Sequence, residues 1–174
     1  MEMLSNHLIT IMTVTMTSVV VQPPSPVRLL ATPWVTICTE HRKNTLCSIV
    51  GDGFPVPKPS GQIAEDFIRK IPEKYPCVSV DHYVIMPNHI HLLLRISSAS
   101  GTGNPSPTLG NIVGWYKYQT TKAIQGKSGR SGNRFFQRSY HDHVIRNEAS
   151  YLKIWQYIDT NPIRWTADCF FVSD

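Results

Sequence analysis

The stretch CVSVDHYVIMPNHIHLLLRI, residues 77–96, constrains the fold more than any other. It holds two runs of strand length, rich in Val, Ile, Tyr and Leu, separated by Met86-Pro87-Asn88. Proline and asparagine between β-rich runs are turn chemistry, so the stretch reads as two strands meeting in a hairpin-like reversal. The second run is HIHLLLRI. Successive side chains on a strand point to opposite faces. His89 and His91 therefore leave one face, while Ile90, Leu92 and Leu94 leave the other and anchor the strand in the core. Residues two apart on a strand are about 6–7 Å apart along the backbone. Two rings at that separation can converge on one metal ion. The same pattern also fits two ordinary histidines on a solvated strand face.

The flanking sequence supplies further elements. PWVTICTEH, residues 33–41, reads as a strand with Trp34, Thr36 and Cys38 on one face and Val35, Ile37 and Thr39 on the other. GDGFPVPKPSG reads as a loop. SGQIAEDFIRKIPEKYP reads as a short helix with Ser60 as its cap and Ile63, Phe67 and Ile68 or Ile71 as its apolar stripe. Pro72 and Pro76 end it. SSASGTGNPSP is a flexible loop by composition. TLGNIVGWYKYQTTKAI is a helix with Leu109, Ile112, Val113, Tyr116 and Ala123 along one side, followed by a glycine-rich basic loop, QGKSGRSGN. RFFQRSYHDHVIR reads as a strand. NEASYLKIWQYIDTNP reads as the last helix, capped by Asn147, with Glu148 in its first turn and Pro162 as its stop. IRWTADCFFVSD is expected to pack its aromatics on the body. This order predicts an α+β fold, an antiparallel sheet with helices packed mainly on one face. Residues 1–31 stand apart as an N-terminal extension, either flexible or an edge strand over LITIMTVTMTSVVV. Residues 32–174 then form a single domain.

A chain of 174 residues is long enough for one domain with a real core. Its formal net charge of +5 and pI near 9.1 favour an anionic partner, although a well-solvated basic surface gives the same balance. Cys38, Cys47, Cys77 and Cys169 form no CxxC pair, which excludes a zinc ribbon and fits reduced thiols in the cytoplasm. No apolar run is long enough for a membrane helix, and the N-terminal stretch lacks the basic start of a secretory signal.

Beyond the histidines, Tyr157 is the first candidate for chemistry. Helical spacing puts Tyr151, Ile154, Trp155 and Ile158 on the apolar stripe and Tyr157 off it, on the face it shares with Asn161. A surface tyrosine would look the same. Tyr116 reads as core and Tyr118 as an exposed reserve candidate. His141-Asp142-His143 repeats the two-residue spacing and fits either a solvated strand end or a position near a ligand. Lys127, Arg130, Arg134, Phe135, Phe136 and Arg138 interleave basic and aromatic side chains, which suits phosphate contacts and base stacking.

DHYVIMPNHIHLLL, FFQRSYHDHVIRNE and YIDTNPIRW, in that order, resemble the single-tyrosine HUH transposases. The nearest branch is the transposase-like proteins associated with repetitive extragenic palindromes. The resemblance runs from about residue 34 to residue 171. It implies a ferredoxin-like, RRM-type fold and an enzyme that binds a DNA hairpin and nicks adjacent single-stranded DNA. Carried over by position, His89 and His91 match the metal ligands and Tyr157 the nucleophile. Asn161 matches a polar position that completes the metal shell in some relatives. Lys127, Arg130, Arg134, Phe136, Arg138 and His143 become candidates for DNA contact. Relatives often carry an aromatic at the position of His141 and a tryptophan at that of Phe136.

The implied cofactor is Mg²⁺ or Mn²⁺, and the partner is single-stranded or hairpin DNA. The implied protein is a monomer, or a homodimer exchanging its tyrosine helix. The alternative is a non-catalytic RRM-like nucleic-acid-binding module. A zinc hydrolase using His89, His91 and another His is a third reading, weakened because no HExxH or acidic partner sits at ligand spacing in the sequence.

Overall fold

The computed structural model describes residues 32–97, 107–129 and 132–173. In chain order its elements are β1 (Thr32–Cys38), β2 (Cys47–Val50), β3 (Phe54–Pro57), α1 (Pro59–Arg69), α2 (Ile71–Lys74), β4 (Val78–Ile85) and β5 (His89–Ile96). They are followed by α3 (Leu109–Ser128), β6 (His141–Ile145) and α4 (Glu148–Thr160). The extension 1–31 with its candidate edge strand, most of the loop after β5, and Arg130 lie outside the described residues.

Four strands form one antiparallel sheet in the order β4-β5-β1-β6. The histidine-bearing strand is thus internal, and both of its faces are covered. That explains why HIHLLL is buried without a break although its side chains alternate. Ile90, Leu92 and Leu94, with Val35 and Ile37 of β1, form the larger core under α1 and α3. Ala64 and Ile68 of α1 and Ile112, Val113 and Tyr116 of α3 add to it. The Tyr116 hydroxyl donates to the Ala64 carbonyl at 3.2 Å, so this buried tyrosine is core and satisfied.

The opposite face carries a smaller core of Leu93, Ile145, Tyr151, Trp155 and Ile158. There α4 lies on the same face as His89 and His91. The cap on α4 is as the sequence indicates: Asn147 accepts the Ser150 N–H at 2.8 Å.

Several local expectations are corrected. GDGFPVPKPSG contributes to a two-stranded hairpin of β2 and β3 rather than to a plain loop. Its short length and three prolines hide the strand signal. Ser60 does not cap α1. Lys58 stands at that position without a side-chain capping bond, its Nζ donating to the Asn44 carbonyl, and the Ser60 hydroxyl donates instead to the Thr45 carbonyl. The helix α3 continues through Gln125, Gly126 and Lys127 and stops at Gly129, whose φ of 64° is the left-handed termination that glycine favours. The strand predicted over residues 134–146 shrinks to β6. After Cys38, β1 gives way to a turn in which His41 and Arg42 both adopt positive φ, so residues 134–140 find only one bridge, Thr39 to Phe136.

Gly61 marks where α1 meets the loop before β2. A Cβ there would lie 2.1 Å from the Leu46 carbonyl oxygen, which already accepts the Lys58 N–H. Gly61→Ala is expected to destabilise the fold by about 1–3 kcal/mol through overpacking, read as a lower urea midpoint. An unchanged midpoint would mean that the α1–loop contact is not fixed.

Candidate active site

The two histidines enter the site from the internal strand and are held from behind by hydrogen bonds. Asn88, in the turn between β4 and β5, is fully buried. Its Nδ2 donates to the carbonyls of Arg42 at 3.2 Å and Phe170 at 2.8 Å. Its Oδ1 is therefore the acceptor that faces His89 Nδ1 at 2.9 Å. This fixes the His89 proton on Nδ1 and leaves the lone pair on Nε2. On the neighbouring strand the Thr36 hydroxyl meets His91 Nδ1 at 2.9 Å. The Nε2 atoms of both rings are buried and have no hydrogen-bond partner among the described residues. The ring centroids are 4.7 Å apart. The rings are 0% and 1% exposed, so they are not a pair on a solvated strand face.

Burial is the main force on their basicity. It lowers His89 to about 4, with the charge of Arg42 acting the same way and that of Asp168 opposing it. It holds His91 well below the usual histidine range, with His89 adding to the effect. Both rings are neutral at pH 7, the form a metal ligand requires. A histidine neutral when folded but basic at 6.5 when unfolded binds its proton only in the unfolded state between those values. Stability of the metal-free protein should therefore fall as pH drops from about 6.5 towards 4. Urea midpoints in EDTA across this window, with His89→Gln for comparison, read the slope. Equal slopes in the two proteins would refute the assignment.

Tyr157 is brought to the same place by α4. It is half-buried, its ring 5.3 Å from that of His91 and 5.6 Å from that of Trp34. Trp34 in turn lies 5.4 Å from His91, so the three rings pack against one another. Asn161 follows one helical turn later and is buried. Its Nδ2 donates to Asp168, while its Oδ1 has no partner among the described residues. The sequence thus placed Tyr157 and Asn161 on one face of α4, and that face is turned to the histidines.

Asp168 is the site residue that the sequence reading missed. It follows the 3₁₀ turn Trp165–Ala167, beyond α4. Its Oδ2 accepts from the Tyr157 hydroxyl at 3.1 Å and from Asn161 Nδ2 at 2.9 Å. Its Oδ1 accepts the Phe170 N–H at 2.7 Å. Ligand atoms of His89, His91 and Asp168 all lie within 4.8 Å of one another. No acidic partner sits at ligand spacing in the sequence, yet a carboxylate does accompany the histidines, because it comes from a distant part of the chain. The available signal was a single carboxylate among Trp165, Phe170 and Phe171. Burial, then the Asp168 charge and hydrogen bond, push the Tyr157 hydroxyl well above its ordinary value. Two unpartnered imidazole nitrogens beside a carboxylate oxygen form a donor set that suits a divalent cation.

The remaining candidates fall elsewhere. Phe136 is buried in the larger core, its ring 6.0 Å from Tyr116, so it is unavailable for base stacking. Arg134 and Arg138 are exposed and line a groove of about 430 Å³ with Lys117, Tyr118 and Lys122. Lys127 is exposed in the last turn of α3. None of these lines the histidine site. His141 and His143 are exposed on β6, opposite Thr36 and Trp34, and so share the sheet face of His89 and His91. Among the described residues no helix is long and apolar enough to cross a membrane.

The family described as Transposase IS200 like matches residues 37–161. A Haemophilus influenzae protein named only as uncharacterized is 31% identical over 157 residues, spanning 80% of this chain and 84% of that protein. A solved REP-associated tyrosine transposase, bound to a REP hairpin, superposes with a TM-score of 0.56 at 21% identity. That match covers 77% of this chain and 67% of that one. A putative transposase from Deinococcus radiodurans R1 gives a TM-score of 0.47 at 19% identity, covering 79% and 94%.

Proposed function

Because this chain belongs to the IS200-like transposase family, we propose that it is a metal-dependent endonuclease and strand transferase acting on single-stranded DNA beside a hairpin. The observation that carries the proposal is the meeting of two unpartnered imidazole nitrogens and one phenol around a single carboxylate. His89, His91 and Asp168 would hold the ion, Mg²⁺ or Mn²⁺, with Asn161 at the edge of the shell. Imidazole with oxygen ligation suits Mn²⁺ better than Mg²⁺. When bound, a divalent cation supplies Lewis acidity to the scissile phosphate.

Ionising a free phenol at pH 7 costs about 4 kcal/mol, and Tyr157 starts from a less favourable position still. Its deprotonation therefore belongs with the loaded, substrate-bound site. Tyr157 Oη attacks phosphorus in line, the P–O3′ bond breaks, and the 3′ oxygen takes up a proton. The product is a 5′-phosphotyrosyl enzyme and a free 3′-hydroxyl. The phosphodiester is conserved in the adduct, so rejoining needs no ATP. Single-stranded DNA bends its phosphate into such a site more freely than a duplex. Lys127, Arg134, Arg138 and His143 are assigned to the DNA as exposed groups, Arg130 by sequence alone, and Phe136 is withdrawn. The catalytic unit is assigned to residues 32–174, working in the cytoplasm as a monomer or homodimer.

A basic groove separate from the histidines favours one rival, a binding module that does not cut. Labelled hairpin-bearing single strands incubated with the protein and Mn²⁺, then run on a denaturing gel, separate the two. A metal-dependent protein–DNA adduct is expected. Hairpin binding with no adduct in Mn²⁺ or Mg²⁺ would leave only the binding module.

A further inference from the structure

We propose that Asp168 is a positioning residue shared by both halves of the centre, completing the cation site with His89 and His91 while its Oδ2 holds the Tyr157 hydroxyl beside it. The inference rests on the nuclease reading above and specifies how the nucleophile and the cation are kept together.

Three observations support it. First, the carboxylate is fixed before any ligand arrives. Tyr157 and Asn161 donate to one oxygen and the Phe170 N–H to the other. Second, the segment carrying it is clamped onto the histidine strand. Trp165 is buried, and Asn88 donates to the Phe170 carbonyl. The Phe170 ring lies 4.7 Å from that of His89 and 5.0 Å from the Arg42 guanidinium. One amide, that of Asn88, therefore sets the His89 tautomer and also tethers the loop that presents Asp168. Third, two neutral imidazoles bring no negative charge to a divalent cation. A carboxylate supplies that charge and a hard oxygen ligand. Because the same carboxylate also accepts from Tyr157, ordering it orders the phenol. Near-attack placement of that kind is sensitive to displacements of about 1 Å.

Mn²⁺ titrated calorimetrically into the full chain, Asp168→Asn, Asp168→Glu and His89→Ala tests the idea without relying on turnover. Adduct formation at saturating Mn²⁺ is the second measurement, and far-UV circular dichroism checks the fold. Asp168→Asn keeps the size and loses the charge; its Mn²⁺ affinity should fall by at least about tenfold. Asp168→Glu keeps the charge and moves the tether. Its affinity should stay within about threefold, while kcat for adduct formation falls about ten- to a hundredfold at unchanged DNA KM. Wild-type Mn²⁺ affinity in Asp168→Asn, or wild-type kcat in Asp168→Glu, would overturn the proposal. If His89→Ala loses Mn²⁺ while Asp168→Asn keeps it, Asp168 alone is excluded and the nuclease reading stands. If His89→Ala binds Mn²⁺ like the wild type, the histidine site itself fails and the proposal goes with it.

Discussion

Tyr157→Phe should abolish covalent attachment of DNA, by at least about 10³-fold, while affinity for hairpin DNA stays within about twofold. The change removes one oxygen and nothing else. The ring keeps its place between Trp34 and His91. The lost hydrogen bond to Asp168 accounts for about 1 kcal/mol of stability, which a folded domain tolerates. A nucleophile, by contrast, has no partial substitute, because without an attacking oxygen there is no intermediate. Denaturing gels with labelled DNA read attachment, and fluorescence anisotropy reads binding. Undiminished attachment would move the nucleophile elsewhere. Tyr118, exposed on α3 and lining the basic groove, would be the first place to look.

His91→Ala should remove metal-dependent cleavage, with a loss on the order of 10³-fold at any Mn²⁺ concentration. Here two effects must be separated. The ring is buried at the centre of the sheet, so truncation leaves a cavity costing about 2–3 kcal/mol. His91→Gln refills most of that volume and offers a poorer ligand, so it should recover stability without recovering activity. Cleavage that survives in both variants would rule out the ligand role. Cleavage lost in the alanine variant and restored in the glutamine variant would point to packing alone.

Much of this centre was readable in the chain. The two-residue period of HIHLLL placed the histidines together, and helical spacing put Tyr157 and Asn161 on one face, although the half-buried Tyr157 also packs against the core of Tyr151, Trp155 and Ile158. Those are local rules, and local rules survive folding when the elements are long and regular. The losses came where placement depends on tertiary contact. Asp168 follows a short 3₁₀ turn with no period to read. Phe136 lies in a basic, aromatic stretch that resembles a nucleic-acid surface, yet it fills the gap beside Tyr116. The β2–β3 hairpin is too short and too proline-rich to compete with a loop reading. Asn88 read as a turn residue, which it is, but its amide also bonds the histidine strand to the segment after α4.

The order of these parts along the chain has a consequence for biosynthesis. Both imidazoles and their sheet partner Thr36 are translated well before Asp168, and the contacts that join them span α3, β6 and α4. Chains emerge from the ribosome with the N-terminal side first. A nascent polypeptide can therefore pair β1 with β5 while its carboxylate is still unmade. The centre closes only once the chain has been made through Asp168, so a shorter nascent chain holds the histidines without that carboxylate.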